Sequence, residues 1–305
     1  MQKGREGSRD GLIPVRDADS GLHAWICIDS TARGPAFGGI RRRDYPSGEE
    51  AVADARRLAE GMSLKCAAVD LPAGGAKTVV QAGAVRDRAA AYRALGRRIE
   101  AFEGQYVCGP DVGTTDEDLD QLRAVTRWVN PRGNDAGAAT ARGVLAGLRG
   151  TLQALDGDPS FDGRVFVVQG LGTVGRAVAD RLLEDGGKVF GADLDEAAVR
   201  ASGVQPVGPA RALATPCDVF VPCALGGVLT DGSAAGLPAR AVCGSANNQV
   251  ASPSAASVLH GRGLLYAPDF MVNAGAVTRG STRSGTGRRT PCGPRRPGTS
   301  TASRG

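Results

Sequence analysis

The stretch RVFVVQGLGTVGRAVADRLLEDGGKVFGAD, residues 164–193, decides the fold. Its first six residues form a short apolar run, the pattern of a strand buried on both faces of a parallel sheet. A glycine-rich turn follows at 170–175, and VGRAVADRLLEDG then takes up helical spacing. KVFGAD, 188–193, supplies a second strand that ends on an acid. Strand, glycine turn, helix and strand make a βαβ unit, so this half of the chain is expected to be a doubly wound, Rossmann-type sheet.

Gly170, Gly172 and Gly175 form GxGxxG, a pattern that means little by itself in a chain with 45 Gly. Its setting between strand and helix gives it content. Gly170 suits the tight turn, Gly172 the close approach of a pyrophosphate to the backbone, and Gly175 the packing of helix on strand. Thr173 and Val174 open the helix, whose N-terminus favours phosphate charge. A purely structural glycine turn is the alternative. Asp193 follows Gly175 by 18 residues and suits the two ribose hydroxyls, while repelling a 2′-phosphate. NAD is therefore expected over NADP, although Asp195 offers a second register and Arg200 a partner for phosphate.

Ahead of this unit, LHAWICI (22–28) reads as a strand, and 49–62 places Val52, Ala55, Leu58, Ala59 and Met62 on one helical face. A second helix carries Tyr92, Leu95, Ile99 and Phe102. A third starts at a capping box of Thr115 and Asp118, before Leu119, Leu122 and Trp128. Alternation with short strands such as 78–80 predicts an α/β first domain. The breaker cluster NPRGNDAG (130–137) reads as the hinge, followed by a helix through Leu145, Leu148 and Leu152. The expected division is 1–133 for a substrate domain, 134–278 for the dinucleotide domain and 279–305 for a basic tail.

Charge needs the same division. The net charge is +5, but residues 279–305 hold seven Arg and no acid or Lys, leaving −2 for the rest. A nucleic-acid reading of the isoelectric point of about 9.0 is therefore not favoured. The seven Cys fall singly, without CxxC spacing and with only His23 and His260 in the chain, so neither a zinc site nor a disulfide framework is expected. There is no apolar leader or membrane span, and with reduced thiols the expected location is the cytoplasm.

GMSLKCAAVDLPAGGAKTVV (61–80) sets Lys65 and Lys77 twelve residues apart among small and apolar neighbours. Two solvated charges are the ordinary reading. If the ammonium groups instead share a cleft, repulsion and desolvation lower the pKa of one, which can then exchange protons, while the other binds an anion. Asp111, in YVCGPDVGTT, reads either as a structural acid ahead of a helix or as a catalytic base in a loop.

These segments, with GPAFGGIRRRDYPS, CDVFVPCALGG, GSANNQV and YAPDFMVNAG, resemble in order the leucine, valine and phenylalanine dehydrogenases of the glutamate dehydrogenase superfamily. The resemblance covers roughly residues 20–278. It implies NAD-dependent oxidation of a hydrophobic L-amino acid to its 2-oxo acid and ammonia, in a homo-oligomer. Lys65, with Gly38, Gly39 and Asn273, would hold the substrate carboxylate. Lys77 would polarise the carbonyl or activate water, and Asp111 would exchange protons with the amine. Thr140 and Asn247 would hold the nicotinamide carboxamide, and Phe37, Gly74 and Gly109 would line the side-chain pocket. Gly109 stands where leucine enzymes tend to carry Ala, a lean toward phenylalanine-like substrates.

The resemblance stops after Val277, where relatives continue with helices that return to the first domain. The basic segment that follows has almost no large apolar residues and is expected to be disordered. Its composition reads as a frame change in the coding sequence, or as a tail for polyanions. Two readings compete with the dehydrogenase. One is a non-catalytic NAD-binding remnant; the other, a 2-hydroxy-acid oxidoreductase, lacks the His and Arg pairing of that chemistry.

Overall fold

The computed structural model describes residues 11–132 and 135–277. The expected tail and Cys292 lie outside the described residues, as does the centre of the expected hinge, 133–134. The first sheet contains β1 (Gly11–Asp17), β2 (Leu22–Ile28), β3 (Ala36–Arg43), β4 (Gly74–Gln81) and β5 (Tyr106–Pro110), in the order β1-β2-β4-β3-β5. β2 runs antiparallel to both β1 and β4, and β4, β3 and β5 are parallel.

Strand alternation gives this sheet two apolar faces. Ala24, Ile26, Ile40, Ala76 and Val80 pack against α2 (Arg88–Glu100) and α3 (Asp116–Arg123) through Tyr92, Leu95, Ile99, Leu119 and Leu122. Trp25, Cys27 and Val79 face α1 (Gly48–Ala68) through Ala51, Ala55 and Ala59. Burial of each large side chain contributes about 1.5–3 kcal/mol. Ser47 caps α1 by accepting from the Glu50 amide at 3.1 Å, and Glu49 and Glu50 oppose the helix dipole. The helix runs past its expected end at Met62, because Lys65 and Cys66 extend the same stripe. Conversely, Phe102 and Trp128 lie outside helices, since α2 ends at Glu100 and α3 at Arg123.

α4 (Ala136–Asp156) is capped by Asp135 and stops at Gly157, whose φ of 73° suits glycine. It leads into β6 (Val165–Gln169), α5 (Thr173–Glu184), β7 (Lys188–Ala192), α6 (Glu196–Ala201), β8 (Gln205–Pro206) and β9 (Cys217–Pro222). The rest is α7 (Asp231–Gly236), β10 (Ala239–Val242), α8 (Pro253–Gly261), β11 (Leu265–Tyr266) and α9 (Asp269–Val272). The second sheet is parallel throughout, in the order β11-β10-β9-β6-β7-β8. From β6 the chain first moves to β7 and then returns to β9 on the opposite side. This reversal leaves a crevice at the carboxyl ends of β6 and β9, where ligands bind in such sheets. Among the described residues, no helix is long and apolar enough to cross a membrane.

Candidate active site

A cleft of about 560 Å³ separates the two sheets. One wall carries Phe37, Gly38, Gly39, Lys65, Lys77, Gly109 and Asp111; the other carries Thr140, Gly172, Thr173, Val174, Asn247 and Asn273. Period-two alternation explains the first wall. Lys77 shares the α1 face of β4 with Val79, and Lys65 lies on the last turn of α1, so both lysines reach the same side of the sheet.

Lys77 is 5% exposed, and its Nζ lies 2.8 Å from Asp111 Oδ2. Arg41, from the same face of β3, donates through Nε to that oxygen at 2.8 Å. Burial pushes the Asp111 carboxyl up, but Lys77 and Arg41 outweigh it and hold the group well below the ordinary carboxylate range. Burial pushes the Lys77 ammonium down, and Arg41 adds to this, against the attraction of Asp111. Lys65 is lowered to about 8, mainly by burial and then by the Lys77 charge. Its Nζ donates across the cleft to Asn247 Oδ1 at 2.6 Å.

Asn273 is also at the cleft, but both of its amide hydrogens are committed. Nδ2 donates to the Ser245 carbonyl and to Asn247 Oδ1, each at 3.0 Å, and the buried Oδ1 is left without a partner. In this arrangement the Asn273 amide ties Asn247 to the Ser245 main chain at the edge of the cleft. Thr140 donates its hydroxyl to the Ala136 carbonyl at 2.8 Å, so that toward the cleft it acts as an acceptor.

Backbone approach dictates the glycines of the floor. A Cβ on Gly38 would lie 1.7 Å from the Ala76 carbonyl oxygen, and one on Gly39 2.9 Å from Asp111 Cβ. Gly74 is not part of the cleft wall. Its Cβ position lies 1.7 Å from the Ser30 carbonyl oxygen, so its expected place in the side-chain pocket is corrected to one of sheet packing. At Gly109 a methyl would meet the Asn130 amide nitrogen at 2.6 Å, so a larger residue would act on a substrate through displacement of Asn130.

The glycine turn differs at its three positions. Gly170 has φ +94° and lies against Ala224; Gly172 faces open space; and a Cβ on Gly175 would lie 1.9 Å from the Gly170 carbonyl oxygen. No side chain caps α5, leaving its first amides to an outside acceptor. Asp193 braces the turn by accepting from the Leu171 amide at 2.6 Å. Gly170, Gly175 and Asp193 are thus outside the cleft lining, while Gly172, Thr173 and Val174 belong to it. Arg200 pairs with Glu196 on an exposed helix at 3.2 Å.

Nothing in the spacing marks Arg41, Asp54 and Tyr45 as partners of this centre, and Met62 and Asn130 read only as helix stripe and hinge. RRR at 41–43 reads as solvated charge, but strand alternation from Phe37 and Gly39 points Arg41 inward. Met62, Asn130 and Val277 also line the cleft.

Both halves match models of known families. The Glu/Leu/Phe/Val dehydrogenase dimerisation domain matches residues 12–127, and the Glutamate/Leucine/Phenylalanine/Valine dehydrogenase domain matches 134–200 and 192–283. A leucine dehydrogenase of Thermoactinomyces intermedius is 40% identical over 277 residues, covering 87% of this chain and 76% of the relative. A phenylalanine dehydrogenase of Lysinibacillus sphaericus is 37% identical over 286 residues, covering 88% and 75%. The crystal structure of an L-tryptophan dehydrogenase from Nostoc punctiforme superposes with a TM-score of 0.74 at 31% identity, covering 90% of this chain and 82% of that one. With sequence and topology in agreement across both sheets, the chain belongs to the Glu/Leu/Phe/Val dehydrogenase family.

Proposed function

We propose that the chain catalyses NAD-dependent oxidative deamination of a hydrophobic L-amino acid to its 2-oxo acid and ammonia. The observation that carries this reading is the buried Lys77–Asp111 pair, 2.8 Å apart, facing the glycine turn across the cleft. An amine of lowered proton affinity beside a fixed carboxylate is suited to moving protons on and off a substrate nitrogen. The names of the relatives, amino-acid dehydrogenases acting on leucine and phenylalanine, support the same substrate class.

In this reading residues 1–133 form the substrate domain and 134–278 the dinucleotide domain. The open surface at Gly172 and the uncapped start of α5 fit a pyrophosphate, held by Gly170, Gly172, Thr173, Val174 and Gly175. Asp193 is the partner for the ribose hydroxyls and favours NAD over NADP. Thr140 and Asn247 orient the nicotinamide carboxamide. NAD, when bound, supplies the acceptor for the hydride that leaves the substrate Cα.

Lys65 holds the substrate carboxylate with the backbone of Gly38 and Gly39, releasing Asn247 as it does so. The ionised Asp111 attracts the substrate ammonium, and Asn273 supports the carboxylate end by holding Asn247. Because Lys77 and Arg41 hold Asp111 ionised, the proton exchange with the amine that the resemblance gave to Asp111 passes to Lys77. In its neutral form Lys77 receives a proton from the substrate nitrogen as the imine forms. It then assists addition of water to the imine carbon, and collapse of the adduct releases ammonia. Phe37, Met62 and Asn130 bound the side chain of the substrate. Gly109 leans toward a phenylalanine-like group, and the dimerisation-domain match supports an oligomer.

The test is NADH formation at 340 nm with NAD and L-phenylalanine, L-leucine, L-valine, L-tryptophan or L-glutamate. Turnover that Lys77→Ala abolishes is expected. Cofactor binding without substrate-dependent NADH would refute the proposal and leave the non-catalytic reading.

A further inference from the structure

Asp111 is held by two cations, and the second of them is outside the cleft lining. Arg41 Nε and Lys77 Nζ approach the same carboxylate oxygen, each at 2.8 Å. On its other side Arg41 meets Asp54 Oδ2 at 3.2 Å. Asp54 in turn accepts from the Tyr45 hydroxyl at 2.9 Å and pairs with Arg57 at 2.7 Å. Charges therefore alternate inward from the surface: Arg57, Asp54, Arg41, Asp111, Lys77. Arg41 is only 9% exposed, so solvent screens this arrangement little.

We propose that Arg41 is a positioning residue: bonded to Asp111 on one side and Asp54 on the other, it fixes the carboxylate and determines which member of the Lys77–Asp111 pair carries the exchangeable proton. The inference rests on the assignment of that pair to amine chemistry. A carboxylate bonded to a lysine alone can rotate, because an ammonium is a point charge on a flexible stem; a guanidinium is planar, permanently charged and directional. Arg41 opposes the charged form of Lys77 and favours ionised Asp111, leaving the proton site on the amine. The groups that face Lys77 act with defined signs: Asp111 and Asp54 favour its charged form, and Arg41 opposes it. Lys77 likewise disfavours the charged form of Lys65.

The signs give the test. In the full-length chain, reactivity of Lys77 toward acetic anhydride is followed by mass spectrometry from pH 6 to 11, alongside kcat against pH for amino-acid oxidation. Arg41→Gln is expected to move half-maximal Lys77 labelling and the rising limb of kcat to higher pH. Its deficit relative to the parent enzyme should then be about tenfold larger at pH 8 than at pH 10, the scale of one unit charge removed at short range. Arg41→Lys should restore the limb with a lower kcat, and Asp54→Asn should move it the opposite way. Profiles that keep their position in Arg41→Gln and Asp54→Asn, with rates merely scaled, overturn the proposal. If Arg41→Gln does not fold, an unmoved limb in Asp54→Asn overturns it alone. Labelling that shifts as expected in a parent chain that oxidises no amino acid would instead refute the amine-chemistry assignment and leave the electrostatic role intact.

Discussion

Replacing Asp111 by Asn removes one charge from between two buried cations while keeping the side-chain shape. Lys77 and Arg41 are 5% and 9% exposed and both bond Asp111 Oδ2, so the variant leaves two guests of like charge in a site that water barely reaches. Breaking a buried pair from one side costs about 3–5 kcal/mol. At ~2–4 °C per kcal/mol for a domain of this size, the melting midpoint should fall by roughly 6–20 °C. The loss should also depend on pH in a defined direction. Lys77 already binds its proton less tightly folded than unfolded, because burial lowers it, and Asp111 opposes that lowering. Without Asp111 the unfolded chain holds the extra proton over a wider range, so stability rises with pH there. The deficit is therefore largest near pH 6 and shrinks toward pH 10. Differential scanning fluorimetry of the parent, Asp111→Asn, Lys77→Met and the double variant measures it, and the double variant should lose less than the two single losses combined. A midpoint for Asp111→Asn within 2 °C of the parent at pH 6, or losses that simply add, would refute the description of a buried three-charge centre.

Lys65→Met is expected to raise KM for the amino acid at least about thirtyfold, the equivalent of ~2 kcal/mol for a lost buried charge partner, with a smaller change in kcat. Because burial and then Lys77 bring Lys65 to about 8, KM of the parent should climb as pH rises through that value and its charge is lost, while KM of the variant should not respond there. Gly175→Ala places a methyl 1.9 Å from the Gly170 carbonyl oxygen, so helix and turn must separate; calorimetric titration should show NAD binding weakened by about tenfold or more. Asp193→Ala removes the acceptor of the Leu171 amide and, with it, the acid proposed for the ribose hydroxyls, and the ratio of NAD to NADP affinity should fall in the same titration.

The second sheet was legible from 164–193 because its signals are local: an apolar run, glycines at fixed spacing and an acid at the next strand end. Lys65, Lys77 and Asp111 could be named as candidates, but periodicity alone did not distinguish them from surface charges, and only the resemblance joined them. Arg41 stayed hidden because its partners lie 13 and 70 residues away, and a run of three arginines has the composition of a solvated edge. Gly74 was misplaced for a related reason: a glycine required by a neighbouring carbonyl and a glycine required by a ligand have the same letter. The cap at Thr115 was readable, whereas the departure of the chain from α3 before Trp128 depends on tertiary contacts that no spacing rule contains.

The floor of the cleft is made largely of main chain, and that limits how the protein can diversify. Gly38 lies against the Ala76 carbonyl and Gly39 against the Pro110 carbonyl, so a methyl at either has to move main chain. Gly109 is different, because the atom in the way belongs to the Asn130 side chain and can turn aside. A lineage exploring new substrates on this scaffold therefore has a floor nearly closed to mutation and walls that remain open to it. Innovation should accumulate at Phe37, Met62, the Gly109–Asn130 pair and Val277, leaving the glycine rows as a fixed inheritance.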